Sequence, residues 1–586
     1  MRIFTSLALW MFSIPLLAQT LSPYPAYVHS IPFVLQNESL QGLVYTPPQA
    51  TGIRAAAQFE EQQGVAITWT SYTHILAQIV AAARTEVTVY IVCSDSNAVK
   101  TYLNAQSVPL SNIRYLEDQF NTIWARDYGM NSIYLHRDDS LSFVDWRYNR
   151  PRPKDDTVPY ALARMLGAPL YSTSQVGGNY LVNTGGNYMS DGQGTAFASK
   201  LILDDNQPGA GYGGNATEAQ IDTMMKQYMG IQRYIKMEKL PHDGIHHIDM
   251  HMKLLDEETL LIGQYPDGVS DGPQIEANIG YIQNNFMDCY GRPYKIIRIP
   301  QPPDNTGAYP DAGGEYCTYT NAIILNHTVI YPHYYTQYDT TADRIWHESM
   351  PGYRLCPINC ENGADDIISQ SGAIHCITHE LGVSDPILIA HAHLPDTYNF
   401  TVPYSVIARV ETHSGVNSAT LYWSIDSSLG YTAVTMTPLA NDSFLSYIPA
   451  QPVGTRIFYY LEATSLSGRT NRKPMVAPQG VFTFQVLDQS LGITSSQPAG
   501  LTRFFNPMPN PAGEKTLLSF QLPAAGMVDL GVYDLTGRLV MSLIREKMLA
   551  GVHQYMMSTT LLPSGTYLLK LDDGAFIQVK KLTIVH

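Results

Sequence analysis

The sequence predicts a mixed α/β region followed by two all-β units, and three observations carry that prediction. Helical and strand patterns alternate from about residue 19 to 385. Only period-two strand patterns occur from about 386 to 490. After a Ser-, Gly- and Pro-rich linker at 491–500, residues 501–586 again read as strands alone. A chain of 586 residues is too long for one core, so several domains are expected.

The elements follow in order. Residues 1–18 have an early positive charge at Arg2, an apolar run from Leu7 to Leu17 and a small residue, Ala18, at the end. That is the layout of an export signal. No later segment reaches the roughly 20 apolar residues of a membrane helix. In the long region Ile133–Val144 reads as strand, turn, strand, similar apolar runs or hairpins recur at Thr195–Leu203, Met252–Gln264 and Asn321–Tyr334, and Gly372–Leu381 opens a possible fifth unit. Helical periodicity falls between them, as at Thr73–Ala83 and Thr217–Tyr228. Repeated strand-and-helix units fit a radial α/β arrangement, with a doubly wound sheet as the alternative. No Gly-rich phosphate loop follows a strand.

The second region has alternating runs at Val402–Glu411, Ala419–Ile425, Tyr431–Thr437 and Arg456–Thr464, the pattern of an immunoglobulin-like β-sandwich. The last region reads as strands at Thr516–Leu522, Met527–Asp534, Arg538–Leu543 and Gly565–Leu571, with a turn at Thr536-Gly537-Arg538.

The formal net charge of −15 argues against a nucleic-acid partner and is compatible with a cationic substrate. An exported chain permits disulfides. Of the six cysteines, Cys356 with Cys360 and Cys289 with Cys317 are possible pairs, and Cys93 reads as a buried thiol. Spacing alone decides no connectivity.

Four clusters carry chemistry. Cys376 lies in Ser371-Gly-Ala-Ile-His-Cys376-Ile-Thr-His379-Glu380. A thiol attacks only as thiolate, so it requires a base or a lowered pKa. On a strand His375 would point away from Cys376, which favours a remote base. In His247-Ile248-Asp249 an extended backbone puts both polar side chains on one face, a proton shuttle beside a cation-binding carboxylate. His247 and His251 have zinc-like spacing, but Ile248 stands where a metalloprotease has its Glu and no third ligand is evident. Trp124 with Asp127 suits a planar guanidinium through stacking and paired hydrogen bonds, unless Asp127 simply pairs with Arg126. Arg150 and Arg152, stiffened by Pro151 and Pro153, suit a carboxylate, unless they are a surface pair neutralised by Asp155 and Asp156.

Taken together, these clusters resemble the guanidino-group-modifying superfamily. Within it the chain resembles the bacterial, Porphyromonas-type peptidylarginine deiminases and the agmatine deiminases. The resemblance spans about residues 54–385. It rests on Phe59-Glu60, Trp69, Ile123-Trp124-Ala-Arg126-Asp127-Tyr-Gly129, Gly185-Gly186-Asn187, His247-Ile248-Asp249 and Ile374-His375-Cys376-Ile-Thr378. It implies a five-bladed α/β propeller, the pentein fold. It also implies Cys376 as nucleophile, His247 as proton shuttle, Asp127 and Asp249 as guanidinium binders, and Asn321 as a pocket residue, with no metal or organic cofactor. Arg150 and Arg152 resemble the arginine pair that holds the α-carboxylate of a C-terminal arginine. Agmatine deiminases follow the nucleophile with Ile-Thr-Gln-Gln, whereas this chain has Ile377-Thr378-His379-Glu380.

Residues 501–586 resemble a type IX secretion sorting domain through Pro509-Asn-Pro-Ala512, Val532-Tyr-Asp-Leu-Thr-Gly-Arg538, Gly551-Val-His553, Leu562-Pro-Ser-Gly-Thr-Tyr567 and Lys580-Lys581. This implies the type IX machinery as partner and a surface or secreted location. The expected activity is deimination of peptidyl-arginine to citrulline and ammonia, with agmatine as the alternative substrate. A non-catalytic adhesin for arginine-bearing peptides is the alternative of another class.

Overall fold

The computed structural model describes residues 43–585, except 139, 174–179, 361–365, 489–501, 508–509 and 575–576. The expected signal segment, 1–18, and linker, 491–500, lie outside the described residues.

Five sheets of one plan occupy the α/β region. In each, an antiparallel strand pair is extended by a parallel strand that returns after a helix. One unit pairs Asn131–Leu135 with Ser140–Asp145, then adds Leu170–Ser172 after the helix Val158–Leu166. The next pairs Met189–Ser190 with Thr195–Ser199 and adds Arg233–Met237 after the helix Glu218–Met229. Met252–Leu254, Thr259–Gln264 and Lys295–Pro300 repeat the plan around the helix Gly272–Asn285. Ile323–Leu325, Thr328–His333 and Arg354–Asn359 do so around Thr336–Ser349. The remaining sheet runs parallel through Gln62–Thr68, Thr88–Cys93 and Ile113–Glu117.

That sheet takes its antiparallel member from the far end of the region: His379–Gly382 pairs with Gln62–Thr68, His379 opposite Ala66. The stretch Gly372–Leu381 therefore completes a unit begun some 300 residues earlier and does not open a new one. The stretch Thr195–Leu203 is an apolar run and not a hairpin. Only Thr195–Ser199 is strand, Leu201–Asn206 is helix, and the pairing strand lies upstream. A short apolar run does not separate strand from helix by periodicity alone.

Local sequence explains the helices. In Thr73–Ala83 the residues Ile75, Leu76, Ile79, Val80 and Ala83 repeat on one face and are fully buried. Each large apolar side chain so buried contributes about 1.5–3 kcal/mol. Glu218–Met229 begins with a capping box between Thr217 and Gln220 and ends at Gly230, whose φ of 70° suits glycine.

The second region is two facing sheets. One contains Leu388–Ala390, Tyr404–Glu411, Ser443–Ile448 and Thr437–Pro438. The other contains Thr432–Thr435, Val416–Ser424, Arg456–Ser465, Thr470–Lys473 and Phe482–Gln485. Val406, Ala408 and Val410 from the first meet Leu421, Tyr459 and Leu461 from the second in one core. Lys473 Nζ reaches both carboxylate oxygens of Glu257 at 2.8 Å, and Arg469 pairs with Glu61 at 2.5 Å, so buried and half-buried ion pairs tie these sheets to the α/β region.

The last region has its own core, including Leu518, Phe520, Leu530, Val532, Leu569 and Leu571, between a three-stranded and a four-stranded sheet. Its turn forms as the sequence suggests: Asp534 Oδ1 accepts the N–H groups of Thr536 and Arg538, and Gly537 has φ 84°.

None of the six cysteines is in a disulfide. Neither suggested disulfide forms. Cys356 sits in the strand Arg354–Asn359 and Cys360 lies just past its end. At about 3.3 Å per residue, four extended residues exceed the reach of a disulfide. Cys93 is buried, as expected. No described helix is long and apolar enough to cross a membrane.

Candidate active site

The four clusters meet although they lie far apart in the chain. Cys376 lies in a turn, not on a strand, immediately before His379–Gly382. Asn321 builds that turn. Its Oδ1 accepts the backbone N–H groups of Ala373, His375 and Cys376 at 3.2, 2.9 and 3.3 Å, and its Nδ2 donates to Cys376 Sγ at 3.1 Å. Asn321 thus reaches the site, with its polar atoms engaged by the nucleophile loop.

The turn also places His375 otherwise than a strand would. Its Nδ1 lies 2.7 Å from Asp249 Oδ2, and that oxygen is 3.7 Å from Cys376 Sγ. The segment from His247 to Asp249 is not extended throughout either: His247 is, Asp249 is not. His247 precedes a short 3-10 turn, Ile248–Met250, and that turn still brings both side chains to the site. His247 Nδ1 stands 3.7 Å from Asp127 Oδ1.

Asp127 is carried by the short helix Ala125–Tyr128, next to Trp124. Arg126 does not pair with it. Arg126 is buried and binds Glu380 through both guanidinium nitrogens, at 3.1 and 2.5 Å, with a further donation to the carbonyl of His375 at 3.4 Å. Arg126 thereby joins the aspartate turn to the nucleophile turn. Asp127 Oδ2 accepts from the Tyr148 hydroxyl at 3.3 Å, and Arg152 donates to that same hydroxyl at 2.9 Å. Arg150 donates to the carbonyl of Asn149. Among the described residues neither arginine has a carboxylate ion pair. Asp155 instead accepts from the backbone of Asn121 and Thr122, and Asp156 from that of Tyr148.

Glycines make the assembly possible. A Cβ on Gly186 would lie 2.4 Å from His247 Nδ1, and one on Gly185 would lie 2.0 Å from the carbonyl oxygen of Arg126. A Cβ on Gly129 would enter the ring of His379, and one on Gly372 would meet Trp124. Asn187 then pins the glycine turn to the neighbouring strand, exchanging hydrogen bonds with Ser199. Gly186→Ala is expected to displace His247 and lower kcat/KM at least about tenfold, since overpacking of this size costs roughly 1–3 kcal/mol. Steady-state kinetics beside a melting curve checks this; unchanged kinetics would refute the close fit.

The electrostatics follow from burial. Cys376, His247 and Asp249 are each at most 2 % exposed, and Asp127 is 8 % exposed. Burial pushes the Cys376 thiol well up, the carboxylates of Asp249 and Asp127 push it further, and the amide of Asn321 opposes them. Burial and then the charge of Arg150 hold His247 well below its ordinary range, so its ring is neutral near pH 7. Burial and the neighbouring Asp127 raise Asp249 to about 8, against Arg126 and Lys253. Asp127 is raised by burial, with Arg150 and Arg152 opposing. Two carboxyl groups this close resist ionising together.

Each aspartate therefore has one tied oxygen and one open one. Asp127 Oδ1, Asp249 Oδ1 and both ring nitrogens of His247 are buried without a hydrogen-bond partner among the described residues. Buried polar atoms are ordinarily paired, so such a group calls for a polar ligand. A planar cation with several N–H donors matches the two carboxylates. Among the described residues no cluster of three His, Cys, Asp or Glu has metal-binding geometry.

Several contributors were not singled out from sequence: Glu380, Tyr148, Gln58 and Lys253. A lysine inside the apolar strand Met252–Leu254 is the one with a visible signal.

Residues 54–381, more than half of the chain, match the family described as Porphyromonas-type peptidyl-arginine deiminase, and residues 508–585 match the secretion system C-terminal sorting domain. Two Shewanella proteins share the name "Putative agmatine deiminase". The one from Shewanella baltica (strain OS185) is 26% identical over 310 residues, covering 47% of this chain and 78% of its own. The one from Shewanella sp. (strain W3-18-1) is 25% identical over 381 residues, covering 57% and 96%. An X-ray structure of an agmatine deiminase so named aligns with a TM-score of 0.51 at 19% identity, over 58% of this chain and 99% of its own, which shows a common fold. Fold, site and relatives define a class, the hydrolases acting on guanidino C–N bonds. The chain belongs to the Porphyromonas-type peptidyl-arginine deiminase family. Its last region is a sorting domain that directs export by type IX secretion.

Proposed function

We propose that the chain deiminates the guanidinium of arginine, preferentially a peptide's C-terminal arginine, to citrulline and ammonia. The observation that most supports this is the set of open atoms beside Cys376: one oxygen each from Asp127 and Asp249, and both nitrogens of a neutral His247. The carboxylates bind the guanidinium nitrogens. The bound cation offsets the negative charge that holds the thiol protonated, so the thiol ionises once substrate is present. Sγ then adds to the guanidinium carbon while its proton passes to His247. His247 delivers that proton to the departing nitrogen, which leaves as ammonia. Water, deprotonated by His247, adds to the thiouronium carbon. The C–S bond breaks, the ureido product forms, and the thiolate recovers a proton.

In this reading the five sheets are the blades of a pentein propeller, closed by His379–Gly382. The domains are 19–385, 386–490 and 501–586, and the exported protein reaches the cell surface or the medium. Trp124 lies against the guanidinium and Asn321 positions the nucleophile. Arg150 and Arg152 bind the α-carboxylate. Their partial exposure and their proximity to Asp127 support that role. Agmatine, which lacks a carboxylate, is the second reading, favoured by the names of the Shewanella relatives.

A panel of agmatine, free arginine and peptides with internal or C-terminal arginine decides between them. Arg150→Ala is expected to lower kcat/KM on C-terminal arginine about ten- to a hundredfold, the value of a charge-assisted hydrogen bond, and to change agmatine little. Arg152→Ala is expected to harm both, because Arg152 also supports Tyr148 and through it Asp127. Wild-type preference for agmatine would reverse the reading.

A further inference from the structure

We propose that His375 is a positioning residue of this site: it ties one oxygen of Asp249 so that the other is left open for the guanidinium, and its own ring is set by a buried chain through Gln58 to Lys253. The inference rests on the guanidinium-binding role proposed for Asp249.

The chain can be followed atom by atom. Lys253 is fully buried, and its Nζ donates to Gln58 Oε1 at 2.6 Å. Burial brings Lys253 down to about 7, and as ammonium or as amine its Nζ donates here, so the atom facing it is the amide oxygen of Gln58. The same oxygen lies 3.0 Å from His375 Nε2. His375 must therefore carry hydrogen on Nε2, and its Nδ1 is the atom left for Asp249 Oδ2 at 2.7 Å. Both partners of that last bond are completely buried. A single proton lies between Nδ1 and Oδ2, and Asp249 Oδ1 keeps no partner among the described residues. The contact thus fixes the rotation of the carboxyl group and gives it a place to hold a proton while no cation is bound.

The surroundings set the balance of that proton. Asp249 faces Asp127, Asp243 and the Cys376 thiol on the acidic side, and Arg126 and Lys253 on the basic side. His375 faces Arg126, Lys253, His379 and His247. Burial and those cations disfavour an imidazolium, while burial raises Asp249 to about 8. In the empty site the proton therefore belongs to Asp249, and it is released when a guanidinium binds.

The test uses the full chain in a Cys376→Ala background, which removes turnover and thiol titration. Calorimetry measures the affinity for agmatine, or for whichever guanidino substrate the wild type turns over, between about pH 6 and 9. Affinity is expected to rise with pH as Lys253, near 7, loses its charge and Asp249, near 8, ionises; Lys253 is common to all the variants, so their differences read the Asp249 part. His375→Leu removes the tie; affinity should fall about ten- to a hundredfold and the rise should move to higher pH. His375→Asn offers an obligate N–H donor to the carboxylate; affinity should stay within about threefold and the rise should move to lower pH. Melting curves confirm that both variants fold, and the Asn variant alone suffices if the Leu variant does not. Equal losses in both, or unmoved pH profiles, would overturn the inference while leaving the deiminase reading intact. Absence of turnover of every guanidino substrate by the wild type would overturn that reading first, and this inference with it.

Discussion

Cys376→Ala is expected to abolish release of ureido product and ammonia from every guanidino substrate, by at least about a thousandfold, because no covalent adduct can form without Sγ. The variant should remain folded. The loop around Cys376 is held by the side-chain oxygen of Asn321, which accepts three backbone N–H groups, and none of those bonds uses the thiol. The Asn321 amide and Asp249 Oδ2 each lose a contact to sulfur, at a cost of about 1 kcal/mol apiece. A product assay with a thermal melt separates the two effects. Persistent turnover in a pure, folded variant would dismiss Cys376 as nucleophile, and with it the thiouronium route.

The second large effect is on stability. Arg126→Met should destabilise the α/β region by about 3–5 kcal/mol, since it strands Glu380 as an unpaired buried charge. Burial raises Glu380, but the charge and the paired hydrogen bonds of Arg126 outweigh it and bring it down to about 2. A carboxylate depressed in the folded state stabilises at pH above its unfolded value, about 4.3, and that contribution is lost as pH falls through about 2. Wild type should therefore lose stability through that acid window, and Arg126→Met should lack this component. Adding Glu380→Gln to Arg126→Met should recover part of the loss, because it removes the stranded charge. Urea unfolding against pH measures all three proteins. A single-variant loss below about 1 kcal/mol would mean that the pair is not the joint between the aspartate turn and the nucleophile turn.

That joint also shows why the site was legible in part only. Cys376, His247, Asp127 and Asp249 each announce themselves locally, because an isolated thiol or carboxylate next to small or apolar residues is chemically conspicuous. The supporting residues do not. Glu380 looks like one more surface charge until Arg126 meets it 254 positions away. Gln58 is unremarkable until Lys253 and His375 converge on a single oxygen atom. His375 was misplaced by strand geometry, since the residues before His379 form a turn around Asn321. The Gly185-Gly186 pair was visible, but what it makes room for, the Arg126 backbone and the His247 ring, was not.

By itself the sequence marked an α/β region and two all-β regions, the adjoining strand pairs within Ile133–Val144, Met252–Gln264 and Asn321–Tyr334, and the candidate residues of the site. These depend on periodicity, turn residues and side-chain type, which are local quantities. Only the tertiary structure decided that His379–Gly382 returns to Gln62–Thr68, that no cysteine is in a disulfide, and that Asp127 and Asp249 each keep one oxygen tied and one open. The physical reason is that strand closure and hydrogen-bond satisfaction join residues hundreds of positions apart, and no local pattern in the chain encodes which partner completes them.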